Sequence, residues 1–337
     1  MSAARRPRIA VLLGDPAGVG PEMGVKLLAR PATAQAASLL LVAPASVLAE
    51  GERVAGMHLP VHRVRGAADV RDEPGIAHLV QPETGEAAIG QCSASAGAAA
   101  LQALATATDL ARQGLVDGIL FAPLNKHSLR LAGMAEEDEL RFMQRRFGVG
   151  GFVCEFNITG ELWTSRVTSH VPVREVADLI TQQSVGDAVR IIDAALRRAG
   201  IARPRIAVSG LNPHAGDSGS IGREEIDVIA PAVQRLREGG LDATGPWSPD
   251  TVFIAARRGD FDAVVSMYHD QGQIAMKLMG FERGVTLHGG LPVPVATSAS
   301  GSAFDIAGRG VAGIEGLQHA FDLCVRMARH ASAGRTG

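Results

Sequence analysis

Three histidines stand in similar local settings: His170 in Thr168-Ser169-His170-Val171-Pro172, His214 in Asn212-Pro213-His214-Ala215-Gly216, and His269 in Met267-Tyr268-His269-Asp270-Gln271-Gly272. Each falls at or just past the end of a plausible strand, with turn-forming residues close by. Three imidazoles suit Zn2+ or a similar divalent ion and leave coordination positions open for substrate oxygens; Mg2+, Mn2+ and Co2+ are the alternative ions. A lone histidine at a strand end is more often structural; three alike weaken that explanation. Asp270 either orients His269 as a neighbouring carboxylate or caps a helix that starts near Gln271. Lys277, in the same segment, is a candidate proton acceptor or carboxylate anchor, because a nearby divalent cation lowers an amine's pKa. Its alternative is a plain surface lysine.

Two glycine- and proline-bearing turns also close apolar runs. Gly14-Asp15-Pro16-Ala17-Gly18-Val19-Gly20-Pro21-Glu22 leads from a first strand into a helix, with Pro21 suited to the first helical position. Its backbone N–H groups can meet an anion or a carboxylate. The glycines are not spaced as GxGxxG, so a tight strand-to-helix turn is the competing explanation. Ala122-Pro123-Leu124-Asn125-Lys126 closes another run and carries Asn125 and Lys126 to where a ligand would lie, unless Lys126 is a surface charge.

The elements that must position these residues read as an alternation. Apolar runs at 8–13, 39–43, 117–121, 205–209 and 262–267 are separated by segments of helical period at 22–28, 94–113, 187–198, 224–238 and 313–331. That pattern predicts a mainly parallel sheet covered by helices, with ligands at the carboxyl ends of the strands. Length suggests two lobes or one large α/β unit, since single cores stop growing near roughly 250–300 residues and the chain has 337. The division predicted is 1–125 plus 285–337 for one lobe and 126–284 for the other.

Composition narrows the class of function. With 46% hydrophobic and 20% charged residues the chain is neither disordered nor fibrous, and its net charge of −2 supplies no field for a nucleic acid. No apolar segment approaches the roughly 18–20 residues of a membrane span, and the apolar stretch after Arg5 and Arg6 reads as a strand rather than a leader. Cys92, Cys154 and Cys324 show no paired spacing and read as reduced core thiols. A cytoplasmic location is expected.

Taken in order, the segments GDPAGVGPE, APLNK, SH at His170, LNPHAGDSGSIGREE (211–225), SPDT (248–251), MYHDQGQIAMK (267–277) and SAFDIAGRG (302–310) cover essentially the whole chain. They resemble the 4-hydroxythreonine-4-phosphate dehydrogenases of vitamin B6 biosynthesis and their relatives, which include dihydrodiol dehydrogenases of aromatic-acid degradation. The resemblance implies an isocitrate/isopropylmalate-dehydrogenase-like two-lobe α/β/α fold, and a homodimer with its active site in the cleft and at the subunit interface. It implies a divalent metal on His170, His214 and His269, with Lys277 and Asp270 as the catalytic pair. It implies NAD or NADP, for which Asn212, Gly216, Gly219, Gly222, Glu224 and Asp250 fall in the matching segments, and substrate contacts from Asp15, Lys126, Asp138 and Thr286. The implied reaction removes hydride from a secondary alcohol and gives a β-keto acid that loses CO2.

The phosphate end of the substrate site departs from the family pattern. Glu136-Glu137-Asp138-Glu139 replaces a Gly-His-Thr-Glu run, Thr286 an asparagine, Val295 an arginine, and Ala299-Ser300-Gly301-Ser302 an Asp-His-Gly-Thr run. A phosphate dianion needs donors and positive charge, so the substrate expected from sequence is a non-phosphorylated hydroxy acid or cis-dihydrodiol carboxylate. The alternatives are that the acids face solvent while Arg141, Arg145 or His288 binds the phosphate of 4-hydroxythreonine 4-phosphate, that the chain is an acyl or phosphoryl transferase on a similar scaffold, or that it is a retired regulatory homologue.

Overall fold

The computed structural model describes residues 5–70, 75–280 and 283–333. The first four residues, which open the segment weighed above as a leader, lie outside the described residues. By internal contacts the chain forms two compact units, Met1–Gly150 with Leu291–Gly337, and Gly151–Gly290.

The first unit runs β1 (Arg8–Leu12), α1 (Gly20–Leu28), α2 (Pro31–Ala36), β2 (Ser38–Pro44), α3 (Ala45–Ala55), β3 (Val61–Val64), β4 (Ile76–Gln81), α4 (Ala94–Arg112), β5 (Gly118–Phe121), α5 (Lys126–Leu131) and α6 (Glu139–Phe147). The second contains β6 (Cys154–Thr159), β7 (Leu162–Arg166), α7 (Val176–Leu179), α8 (Gln182–Arg198), β8 (Ile206–Ser209), α9 (Ala230–Glu238), β9 (Ala243–Trp247), α10 (Val252–Arg257), β10 (Ala263–Ser266), α11 (His269–Gly280) and β11 (Val285–Gly289). The chain then returns to the first unit with β12 (Val295–Ser298) and α12 (Glu315–Ala333).

In the first unit the strands lie in the order β3-β4-β2-β1-β5-β12 and pair in parallel. β1 is buried from Ile9 to Leu12 and β2 along its whole length, as befits strands covered on both faces. The first unit reaches Gly150 instead of ending near residue 125. The reason is packing: Ala100 of α4, Leu129 of α5 and Met134 form one buried cluster, with Leu124 and Phe142 against it.

In the second unit the order is β11-β6-β7-β10-β8-β9. β7, β10, β8 and β9 are parallel, whereas β6 runs antiparallel to both β7 and β11. All five apolar runs read from sequence are strands. β6 and β11 escaped that reading because polar residues such as Glu155, Asn157, Thr286 and His288 interrupt them.

Helix α11 starts at His269 rather than near Gln271, so Asp270 lies inside its first turn and is not its cap. The helix approaches β10 closely, since a Cβ on Gly272 would come 2.9 Å from Ser266 Oγ. Met276 enters a cluster with Leu162, Val252, Phe253 and Val264, a burial that contributes about 1.5–3 kcal/mol. That anchor holds the helix that bears His269, Asp270 and Lys277.

Candidate active site

The three histidines follow β7, β8 and β10, neighbouring parallel strands of the second unit. Backbone bonds stitch the first and third loops together: Val167 N–H donates to Ser266 O at 2.9 Å and Thr168 N–H to Met267 O at 3.0 Å. The Thr168 hydroxyl adds a second bond to Met267 O at 2.8 Å. As a result the rings of His170 and His269 lie with centroids 5.7 Å apart. Two imidazoles on one tetrahedral ion, with Zn–N of roughly 2.0–2.1 Å, place their centroids about 5–5.5 Å apart, so this pair fits a shared metal. Among the described residues, the three imidazoles do not offer three ring nitrogens all within 4.8 Å of one another in the single chain. The structure therefore brings His170 and His269 together and leaves His214 outside the pair.

The His170 loop is held from below. The Arg166 guanidinium, 4% exposed, pairs with Glu155 at 2.9 Å and donates through Nε to Ser169 Oγ at 3.0 Å. At the third loop, His269 Nδ1 is 2.7 Å from Asp270 Oδ1. Of the two roles weighed for Asp270, this contact supports the orienting one.

The His214 loop has a rare backbone. His214, Ala215, Gly216, Asp217 and Ser218 all have positive φ, between 43° and 81°. Only Gly216 adopts this region freely; each of the other four costs roughly 1–2 kcal/mol, so the surrounding structure must impose the turn. Within this loop Asn212 Nδ2 donates to Glu224 Oε2 at 2.6 Å and to Glu225 Oε2 at 3.0 Å. Asp250 accepts from the Ser248 hydroxyl at 2.6 Å, a bond that holds its carboxyl below the usual range. The Glu224 carboxyl is held low by its own backbone N–H and by Asn212.

Lys277 is seven residues beyond Asp270 on α11, two turns or about 10.5 Å along the same helix face. Thr286 faces Asn157 across the β11–β6 ladder, and Asn157 Oδ1 accepts from Gln273 Nε2 at 3.1 Å.

Residues of the first unit expected to meet substrate also make internal bonds. Asp15 is 1% exposed, and its Oδ1 accepts from Ala17 N–H at 2.8 Å. Burial pushes its carboxyl up, against the opposing pull of the Ala17 N–H and the Ser128 hydroxyl. The loop's N–H groups are also engaged: Asp15 N–H donates to Pro123 O, Gly18 N–H to Asp15 O and Val19 N–H to Ser302 O. Four N–H groups of the loop, those of Asp15, Ala17, Gly18 and Val19, thus bond within the fold. Asn125 caps α5 by accepting from the N–H groups of His127 and Ser128, while Lys126 is exposed at the helix start. Asp138 is buried and caps α6 by accepting from Arg141 N–H at 2.8 Å. Glu136 pairs with Arg145 at 2.8 Å, and that guanidinium holds its carboxyl low.

Sequence reasoning missed Arg166 and Glu225 as supports of the site, and saw Gln271 only as a helix start. No apolar run marked Arg166, because its strand Leu162–Arg166 reads LWTSR.

Comparison with known proteins gives a consistent picture. The family described as pyridoxal phosphate biosynthetic protein PdxA matches residues 35–324. A putative 4-hydroxythreonine-4-phosphate dehydrogenase 2 of Pseudomonas aeruginosa is 52% identical over 336 residues, 98% of this chain and 99% of that protein. The D-threonate 4-phosphate dehydrogenase of Salmonella typhimurium is 36% identical, covering 95% of this chain and 98% of its own length. A crystal structure of the Klebsiella pneumoniae 4-hydroxythreonine-4-phosphate dehydrogenase is similar with a TM-score of 0.83 at 36% identity, covering 97% of this chain and all of that one.

Proposed function

The chain belongs to the PdxA family, and on that premise we propose that it oxidises the secondary alcohol of a four-carbon hydroxy-acid 4-phosphate with NAD or NADP. The resulting β-keto acid then loses CO2. 4-Hydroxythreonine 4-phosphate and D-threonate 4-phosphate, the substrates in the relatives' names, share this skeleton and differ at C2. The sequence-based expectation of a non-phosphorylated substrate is withdrawn. Relatives at 52 and 36% identity carry phosphate-ester names, and two members of the acidic run that prompted it are engaged within the fold, Glu136 by Arg145 and Asp138 as a helix cap. Dehydrogenase names among the relatives also favour this reading over a transferase.

The observation that carries the proposal is the facing pair His170 and His269, with Asp270 on the far nitrogen of His269. These residues suit a divalent ion, Zn2+ first, and His214 is the third ligand of the set. Such an ion, when bound, polarises the substrate hydroxyl and a neighbouring oxygen and so eases loss of proton and CO2. Asp270, 2.7 Å from His269 Nδ1, orients the ring so that Nε2 is the nitrogen offered to the ion. Lys277 Nζ would take the hydroxyl proton, and a nicotinamide cofactor, when bound, would supply the hydride acceptor. For the cofactor, Asn212, Gly216, Gly219, Gly222, Glu224 and Asp250 form the binding set, with Glu224 and Asp250 as carboxylate acceptors suited to ribose hydroxyls. Lys126 and Thr286 remain substrate contacts in this reading.

The active form is a homodimer with shared sites. α11 displays Ile274 and Leu278, 60% and 84% exposed, one turn apart on the helix that bears His269, Asp270 and Lys277. A second copy that covers them removes apolar surface from water on the helix that bears His269, Asp270 and Lys277. Among the described residues no helix is long and apolar enough to cross a membrane. A cytoplasmic location, with Cys92, Cys154 and Cys324 as free thiols, completes the proposal.

The test is steady-state reduction of NAD and NADP with 4-hydroxythreonine 4-phosphate, D-threonate 4-phosphate and both dephosphorylated acids. Turnover with a phosphate ester and none with its dephosphorylated form supports the reading. Turnover of the free acids alone would overturn it.

A further inference from the structure

Glu225 is a carboxylate with no part in the chemistry proposed above, yet it is 2% exposed. Burying a carboxylate is unfavourable unless donors surround it, and here they come from one place. Glu225 Oε1 accepts from Leu211 N–H and Asn212 N–H, each at 2.7 Å, and Oε2 accepts from Asn212 Nδ2 at 3.0 Å. Those donors immediately precede the left-handed run His214–Ser218. The carboxylate also fills the hollow of that turn, because a Cβ on Gly210 would lie 3.0 Å from Oε1 and one on Gly216 2.7 Å from Oε2. On its other side the turn is tied to the third histidine loop. Gln271 Nε2 donates to Gly210 O at 2.8 Å, and Gln271 Oε1 accepts from Met267 N–H at 2.7 Å.

We propose that Glu225 is a positioning residue for His214: its buried carboxylate is the clamp that imposes the left-handed turn and so fixes the site from which the imidazole projects. Four residues without glycine's freedom hold positive φ only while something outweighs their strain. Three bonds to the carboxylate, two of them at 2.7 Å and one at 3.0 Å, converge on the residues that enter the turn. The assignment rests on the reading of His214 as a metal ligand.

The test uses the full chain carrying Glu225→Gln, which keeps the side chain's size but turns an amide toward donors that need an acceptor. Hydrogen exchange of residues 211–219 in metal-free protein, and Zn2+ affinity by competition with a chromophoric chelator, are the readouts. The expected result is exchange at least about tenfold faster in that segment alone, with Zn2+ affinity lower by about 10–100-fold. In a His214→Ala background the same substitution is expected to cost no further Zn2+ affinity. Unchanged exchange overturns the proposal, and so, where His214→Ala itself weakens Zn2+ binding, does unchanged affinity or a full additional loss in that background. So does a Glu225→Gln chain that no longer melts cooperatively, because the role assigned is to one loop and not to the fold. If His214→Ala alone binds Zn2+ as tightly as the parent, the metal reading of His214 fails, while the exchange result still decides whether Glu225 is the clamp.

Discussion

His269 Nδ1 and Asp270 Oδ1 lie 2.7 Å apart within the first turn of α11. A carboxylate on one ring nitrogen fixes the tautomer and leaves Nε2 as the atom available to a metal ion. Neighbours in sequence thus share one task, and α11 carries both.

Asp270→Asn preserves the size of that partner and removes its charge. The expected effect is a 10–100-fold loss of metal affinity, with kcat/KM falling in parallel and restored in part by excess metal. Chelator competition and steady-state kinetics check it. A variant within twofold of the parent in both would speak against an orienting role.

Lys277→Met removes the proposed proton acceptor. A general base contributes roughly 10²–10⁴-fold, so kcat is expected to fall in that range while the dissociation constants for cofactor and metal stay near the parent values. Single-turnover kinetics with calorimetric binding separates the two. Loss of binding with unchanged kcat would make Lys277 an anchor instead.

Asp15 links stability to pH. Burial raises its carboxyl pKa above the ordinary 3.8, so in the interval above that value the folded chain binds more protons than the unfolded one. Stability from this group therefore falls as pH rises through the interval. Asp15→Asn removes the ionisation and keeps an oxygen for the Ala17 N–H. It is expected to be more stable than the parent near pH 7, with the gain vanishing below about pH 4. Denaturant melts at both pH values test this, and an equal gain at both would exclude ionisation as its cause.

Leu278→Glu places a charge on the most exposed apolar side chain of α11. Sedimentation is expected to show a dimer for the parent and a shift toward monomer for the variant, with activity falling as the dimer is lost. A parent that sediments as a monomer while fully active would contradict the shared site.

Much of this was legible in the sequence, for reasons visible in particular residues. The runs that became β1, β2, β5, β8 and β10 are nearly unbroken aliphatic strands, and the histidine loops lie at the carboxyl ends of β7, β8 and β10 because parallel sheets put their loops there. β6 and β11 were hidden by Glu155, Asn157, Thr286 and His288, polar residues on strands that also bury Phe156 and Leu287. The left-handed turn was hidden too, since Asn212-Pro213-His214-Ala215-Gly216 signals a turn of some kind but not one imposed by a carboxylate 13 residues after Asn212. For Asp15 and Asp138, position at a strand end or helix start could not show the backbone N–H from which each carboxylate accepts.

The most direct test is a crystal structure of the assembled, Zn2+-loaded protein with anomalous diffraction at the zinc edge. The expected result is one peak per chain bonded at roughly 2.0–2.1 Å to ring nitrogens of His170, His214 and His269, with Lys277 facing the open side. A peak held by other residues, or three rings that share no ion in the oligomer, would contradict it.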